Sequence, residues 1–337
     1  MGNSFSISAR ERLLLGAVGV SSALTLYMRN ECEVQRIRKN ELALSLMGLR
    51  QINMGRGANA AYGSSFRPRP SDVFIATYPK CGTTWMMQIC HMLRGGEMNF
   101  GEITEVCPWD VWAEKCGQDL DADQVKEPRI FKSHSLYDNI AKGGKYIYVA
   151  RNPEDVFVSF FNFAPGYFGL HQDDITMHQF ADFTFINSGG PFSTVWDHFM
   201  NWYEVKDEAN VLWVFFEDLK KDLKAQIQRV AEFLDIPENV REKRVLQAVE
   251  KSSFKFMSSQ EQKHHFDDHF IFDNTKGDMG LPDEAKIRVS KVRQGRMGQR
   301  LLIPTDIRER LEEQWKERIA AKINCENYDS FRCSFQK

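Results

Sequence analysis

Lysine, glycine and two threonines crowd into Lys80-Cys81-Gly82-Thr83-Thr84, and this cluster is the strongest chemical signal in the chain. Before it, Asp72-Val73-Phe74-Ile75-Ala76-Thr77 is a short apolar run suited to a buried parallel strand; after it, Thr83 to Leu93 reads as a helix. A turn between a strand end and a helix start is where such sheets bind anions, because the first helical N–H groups are unpaired and the helix dipole is positive there. Gly82 lets the backbone approach an anion, Thr83 and Thr84 add hydroxyl donors, and Lys80 adds a positive charge. On these residues alone an ordinary strand-to-helix turn with a surface lysine stays open, since glycine and threonine are frequent in turns.

Two further constellations sit at predicted strand ends. Lys132 and His134 close the run Arg129 to Ser133, and a histidine there suits a general base, its ordinary pKa of about 6.5 lying near neutral pH. Arg151 follows the run Lys145 to Ala150 and precedes Asn152-Pro153-Glu154-Asp155, where Asn152 fits a helix N-cap, Pro153 the first helical position, and the two acids the dipole. Arg151 at this strand end suits a surface salt bridge or, through its planar fork, paired bonds to an oxyanion. A Walker A loop is absent, for here the lysine precedes the glycine, and no lone acid after an apolar strand stands out to hold magnesium. His264, His265 and His269 with Asp267, Asp268 and Asp273 invite a metal reading, but a solvated loop is preferred and no metal is assigned.

Tyr78-Pro79-Lys80-Cys81-Gly82-Thr83-Thr84-Trp85 resembles the 5′-phosphosulfate loop of the cytosolic sulfotransferases, usually written YPKSGTTW, with Cys81 as the departure. Tyr148 to Ser159 is similar to that family's 3′-phosphate motif, Lys132-Ser133-His134 to its K-[TS]-H segment, and Ser252-Ser253-Phe254-Lys255-Phe256-Met257 to its adenosine-contacting T-S-F-x-x-M. Arg293-Gln294-Gly295 with Gly298 resembles the late R-K-G-x-x-G loop, with Gln294 in place of lysine. The matches run in family order over about residues 70 to 300. The resemblance implies transfer of a sulfuryl group from 3′-phosphoadenosine 5′-phosphosulfate (PAPS) to a hydroxyl or amine of a small acceptor. Lys80, Cys81, Gly82, Thr83 and Thr84 would hold the phosphosulfate, and Lys80 and Lys132 would offset charge on the leaving phosphate. Arg151, Ser159, Arg293, Gln294 and Gly295 would clamp the 3′-phosphate. Trp85, Phe216, Ser252, Phe254 and Met257 would surround the adenosine, and His134 would act as base. Phe216 replaces a family tyrosine. In the family's dimer motif, which falls on Arg300 to Glu309, Pro304 and Thr305 replace threonine and valine, which speaks against the family's homodimer. The competing functions are a phosphotransferase on the same scaffold and a non-catalytic nucleotide-binding protein.

These side chains need a frame. Strands expected at 72–77, 129–133, 145–150 and 210–216 alternate with helices at 83–93, 156–163, 194–203, 223–234 and 241–251. That order predicts an α/β domain, a central parallel sheet flanked by helices with a P-loop-like strand-turn-helix. One domain over residues 71–320 is expected, preceded by a linker at 31–70 that is helical at first and irregular from Gly55 to Pro70, and followed by a tail at 321–337. Phe160, Phe161, Phe163, Tyr167 and Phe168 would either line an apolar acceptor site, suited to an alcohol, phenol or amine, or face the core.

Composition bounds the partners. With 44 basic and 46 acidic residues the net charge is −2, which argues against a general positive field for nucleic acid, so an anion must meet local clusters. The 7 cysteines include no CxxC pair, and free thiols in a reducing compartment are expected, hence a cytoplasmic location. Residues 1–30 leave membrane association open. Leu13 to Met28 carries no charge, Ser21-Ser22-Ala23 resembles a cleavage site, and Met1 to Ser6 matches the myristoylation pattern; the alternative is a helix packed on the domain.

Overall fold

The computed structural model describes residues 9–61, 66–187, 192–293, 295 and 297–335. Four strands, β1 (Val73–Thr77), β2 (Ile130–Ser133), β3 (Lys145–Ala150) and β4 (Val211–Phe215), pair in parallel in the order β2-β1-β3-β4. Their side chains alternate between two apolar layers. Phe74, Phe131 and Tyr146 stack on one face, with ring centroids 5.2 and 5.6 Å apart, while Val73, Ile75, Ile147 and Val149 enter the other. Both faces are covered, as a parallel sheet requires. A buried bidentate pair, Arg129 Nε and Nη2 to the two Asp72 carboxylate oxygens at 2.8 and 2.6 Å, ties the entries of β1 and β2. All the strands therefore point their carboxyl ends to one edge of the sheet, where β1 passes directly into helix α2 (Thr83–Leu93).

Three regions differ from expectation. The segment at 31–70 is helical much further than its glycines and asparagines suggest: one helix, α1, runs Ala9–Ala61. Its buried face explains this, because Ala43, Met47, Gln51 and Met54 recur at helical spacing against the body. Arg50 Nη1 donates to the Phe168 carbonyl at 2.5 Å and Lys39 pairs with Asp174 at 2.7 Å, so tertiary contacts override weak helix propensity. Leu13 to Met28 lies within this helix, and among the described residues no helix is long and apolar enough to cross a membrane. Met1 to Ser6 falls outside the described residues.

The stretch expected as a solvated loop around residues 264–273 is ordered instead into a short 3₁₀ turn, Lys263–Phe266, and a helix, His269–Thr275. Phe266, Ile271 and Phe272 are buried, and that apolar set pins it down. Nor does the chain after residue 321 hang free. Helix Tyr328–Cys333 buries Phe331 against Trp213 and Phe215, and the Tyr328 hydroxyl donates to Glu217, whose other oxygen accepts the Asn152 amide beneath Arg151.

Candidate active site

The carboxyl edge of the sheet opens into a cavity of about 340 Å³, and the sequence-predicted residues meet there. Lys80, Gly82, Thr83, Thr84 and Trp85 enter from the β1–α2 turn, Lys132 and His134 from the end of β2, and Arg151 and Ser159 from the end of β3 and its helix Pro153–Phe161. Phe216, Ser252, Phe254 and Met257 form the opposite wall with Arg293 and Gly295. Cys81 is a correction. Its side chain is fully buried, it does not line the cavity, and its amide donates to the Tyr78 carbonyl at 3.2 Å, so it closes the turn rather than facing a ligand. Gln294 lies outside the described residues.

The turn is built for close approach. Lys80 and Gly82 both have left-handed backbone, φ 71° and 114°. A Cβ on Gly82 would stand 3.1 Å from the Phe216 ring, so only glycine fits without a shift. Helix α2 accepts its first intrahelical bond at the Gly82 carbonyl from Met86, which leaves the N–H groups of its first turn directed at the cavity. Arg151 Nη1 donates to the Lys80 carbonyl at 3.1 Å and its guanidinium lies 4.2 Å over the Phe216 ring. That places both proposed phosphate grips against one aromatic ring. Trp85 donates from Nε1 to the Ser252 carbonyl at 2.7 Å and meets Phe216 edge-on at 5.3 Å. A Cβ on Gly295 would collide with Phe254 at 2.7 Å, which brings the late loop against the wall that Phe254 forms. Asp155 ties this loop down from beneath, accepting the Gly298 and Gln299 amides at 3.0 and 2.8 Å, while Arg293 donates to Gln299.

His134 has a defined tautomer. Its Nδ1 lies 2.8 Å from the Thr77 carbonyl, which can only accept, so Nδ1 carries the proton and Nε2 keeps its lone pair. Thr77 Oγ1 approaches the same nitrogen at 3.2 Å and bonds Thr83 Oγ1 at 2.6 Å, linking the histidine to the turn. Burial, then the neighbouring Lys132 ammonium, hold the imidazole well below the ordinary histidine range, so it is neutral at neutral pH. Lys80 is drawn below the ordinary lysine range by burial and then by Lys291, with its Nζ 3.6 Å over the Phe163 ring.

Beyond the turn the cavity becomes aromatic. Phe160, Phe163, Tyr167 and Phe168 line it, whereas Phe161 packs on Phe180 instead. Gln51 and Met54 of α1 complete this end, together with Trp109 and Phe192, both in edge-to-face contact with His134 at 5.0 and 5.5 Å. No local pattern marks Gln51 or Met54, because their role depends on how α1 docks. Asp268 and Lys291 also line the cavity, and the sequence reading missed both. Asp268 belonged to the His and Asp cluster considered for metal. Instead it is buried against Lys132 and Lys291, while His269 pairs with Asp267 at 2.7 Å and His265 faces the Gly101 carbonyl. Among the described residues no three His, Cys, Asp or Glu side chains gather to hold a metal.

A parallel α/β sheet with a glycine turn, a buried arginine and a lysine–histidine pair at one edge has the build of an anion-binding domain. Comparison with known proteins narrows this. A family model described as "Sulfotransferase domain" matches residues 70–279. Rabbit (Oryctolagus cuniculus) amine sulfotransferase is 34% identical over 199 residues, covering 57% of this chain and 64% of that protein. Rat (Rattus norvegicus) sulfotransferase 1C2 is 32% identical over 211 residues, with 57% and 68% covered. Mouse (Mus musculus) sulfotransferase 2B1 is 32% identical over 197 residues, covering 57% of each chain. The match thus spans less than two thirds of the rabbit and mouse proteins. Among solved structures, mouse sulfotransferase SULT7A1 complexed with PAP superposes with a TM-score of 0.56 at 21% identity, over 81% of this chain and 90% of that one. Retinol dehydratase, in complex with androsterone and inactive cofactor PAP, gives 0.56 at 18% over 78% and 84%. The chain belongs to the sulfotransferase family.

Proposed function

We propose that this protein transfers a sulfuryl group from PAPS to a hydroxyl or amine of a small, largely apolar acceptor. The observation that carries this reading is the convergence of Lys80, Lys132, His134 and Arg151 on one cavity, with an aromatic chamber beyond them. Arg151 with Arg293 and Ser159 would hold the 3′-phosphate, and the β1–α2 turn with Lys80 would hold the 5′-phosphosulfate. Trp85, Phe216 and Phe254 offer faces and edges to the adenine. Its relatives include an amine sulfotransferase and a retinol dehydratase seen with androsterone, which supports a small-molecule acceptor.

His134 Nε2 would take the proton of the acceptor oxygen or nitrogen as that atom bonds to sulfur. The bond from sulfur to the bridging phosphate oxygen breaks in line, and its electron pair leaves on adenosine 3′,5′-bisphosphate. Lys80 and Lys132 would offset the charge that collects on that oxygen. A sulfuryl group carries less negative charge than a phosphoryl group, so lysines and backbone donors suffice without a metal in this scheme. The test is incubation with isotopically labelled PAPS and pooled phenols, steroids, alcohols and amines, read by mass spectrometry. A gain of about 80 Da, the sulfuryl increment of such a transfer, on at least one acceptor is expected; binding of adenosine 3′,5′-bisphosphate with no transfer to any pool would favour a non-catalytic nucleotide-binding protein.

The same reading places the protein in the cytoplasm, with residues 1–30 as the segment through which it would touch membranes. A chain lacking residues 1–40 that still pelleted with vesicles would remove that segment as the sole attachment.

A further inference from the structure

One carboxylate faces the lysines of the transfer centre. Asp268 is 3% exposed, and a single oxygen, Oδ1, lies 3.4 Å from Lys132 Nζ and 2.5 Å from Lys291 Nζ. Both ammoniums bond the same atom, so they stand less than 6 Å apart. Lys132 is itself 1% exposed, its Nζ 3.6 Å over the Trp109 ring. Asp268 takes a left-handed backbone, φ 70°, at the start of helix His269–Thr275, a conformation that fixes where its side chain enters. Lys291 comes from the late segment just before Arg293. The end of β2 and two positions of the late chain thus meet at one oxygen atom.

Lys132 is buried and Lys291 partly so; ammoniums this close repel each other, and each loses hydration. Without an anion between them the cheapest response is for one to give up its proton. A neutral Lys132 could neither attract a phosphosulfate nor offset charge on a leaving phosphate. We propose that Asp268 is a positioning residue of the transfer centre: it keeps Lys132 placed and charged beside Lys291 before the sulfated nucleotide arrives, and Lys291 is the cation that opposes it. This rests on the sulfotransferase reading of the same cavity and assigns no contact between Asp268 and the reacting atoms.

The surroundings agree in sign. Burial by itself pushes the Asp268 carboxyl up, but Lys132 and Lys291, with Lys80 behind them, outweigh it and hold the carboxyl below its usual range. Burial draws Lys132 below the ordinary lysine range; Asp268 and Glu102 oppose that, and Lys291 adds to it. Lys132 in turn lowers His134. Of the other groups that face this cluster, Glu102 is buried behind it with its own carboxyl raised to about 7, mainly by burial and then by Asp268. Burial and then Asp268 raise Tyr167, and Cys116 is raised by burial with Lys132 opposing. Among the described residues only Asp268 bonds both lysines.

The sign of the pH effect follows. A lysine whose folded pKa lies below its ordinary value loses charge as pH rises through that lowered value. A bound phosphate restores the charge, so nucleotide binding takes up a proton in that range and weakens as pH rises. Removing Asp268 lowers Lys132 further and moves the weakening to lower pH; removing Lys291 does the opposite.

Lys132 is drawn down to about 7, so calorimetric titration with adenosine 3′,5′-bisphosphate from about pH 5 to 9, in buffers of different ionisation enthalpy, reads both affinity and proton uptake across the range that matters. In Asp268→Asn the pH at which affinity begins to fall is expected to move down by about one unit, which is roughly tenfold weaker binding at the upper end. In Lys291→Met it is expected to move up, and Asp268→Glu is expected to lie near wild type. Curves that superimpose, or Asn and Met variants displaced in the same direction, overturn the proposal. Should Asp268→Asn fail to fold, the Lys291→Met and Asp268→Glu displacements decide it. A wild-type protein that binds no nucleotide at any pH sinks the sulfotransferase reading instead, a distinguishable result.

Discussion

The β1–α2 turn and the late segment from residue 266 to 299 deliver cations to the same cavity by different physical means. The turn is held by backbone: a buried strand on one side, a helix on the other, and two left-handed residues, Lys80 and Gly82, between them. The late segment is held by side chains. Asp268 grips Lys132 and Lys291, and Asp155 accepts the Gly298 and Gln299 amides. A backbone-fixed site is stiff and local, so a short motif encodes it. A site fixed by long-range ion pairs and carboxylate–amide bonds depends on partners over a hundred residues away.

Variants on the two sides should separate these modes. The largest effect is expected on the chemistry between them: His134→Ala lowers kcat by about 10²- to 10⁴-fold, the usual loss for a missing general base, with nucleotide affinity nearly unchanged in calorimetry. Equal loss of affinity would mean that His134 holds the site's shape instead. Because His134 is held below the ordinary histidine range, the acid limb of kcat against pH is expected below about 6.5.

On the backbone side, Gly82→Ala forces a Cβ against Phe216 in a left-handed conformation, a strain of about 1–3 kcal/mol. Both melting temperature and nucleotide affinity should fall. On the side-chain side, Asp155→Ala strips two amides of their acceptor. It is expected to weaken nucleotide binding by a factor within about 5–30, from about 1–2 kcal/mol, through loss of Arg293 placement, while kcat at saturating nucleotide stays close to wild type. The smallest change is Trp85→Phe, which removes one hydrogen bond to the Ser252 carbonyl, worth about 1 kcal/mol, and keeps an aromatic face. If Asp155→Ala exceeded Gly82→Ala in its effect on stability, the late segment would be part of the rigid frame and the contrast would fail.

The same contrast explains what was legible. Strands β1 and β4 showed as short apolar runs, because residues buried on both faces leave little room for polar types, whereas β2 ends in the buried Lys132 and Ser133. Lys80, His134 and Arg151 were readable because each sits at a strand's carboxyl end, a place that pattern alone locates. Cys81 was assigned by its place in the motif, yet its amide donates to the Tyr78 carbonyl, a turn bond that the motif does not reveal. Helix α1 ran past Gly55 because docking, invisible in local propensity, stabilises it. Asp268 looked like one acid among several histidines. Nothing nearby in the chain tells that its partner is Lys132, 136 positions earlier.

The central claim is that the cavity edge grips a nucleotide bearing phosphate at both the 3′ and 5′ positions. Titrating the full chain with adenosine 3′,5′-bisphosphate in a calorimeter, beside Arg151→Ala, addresses it most directly. Saturable one-to-one heat in the wild type, lost or greatly weakened in the variant, is the expected result. Absence of heat in folded wild-type protein, or equal binding by Arg151→Ala, would contradict it.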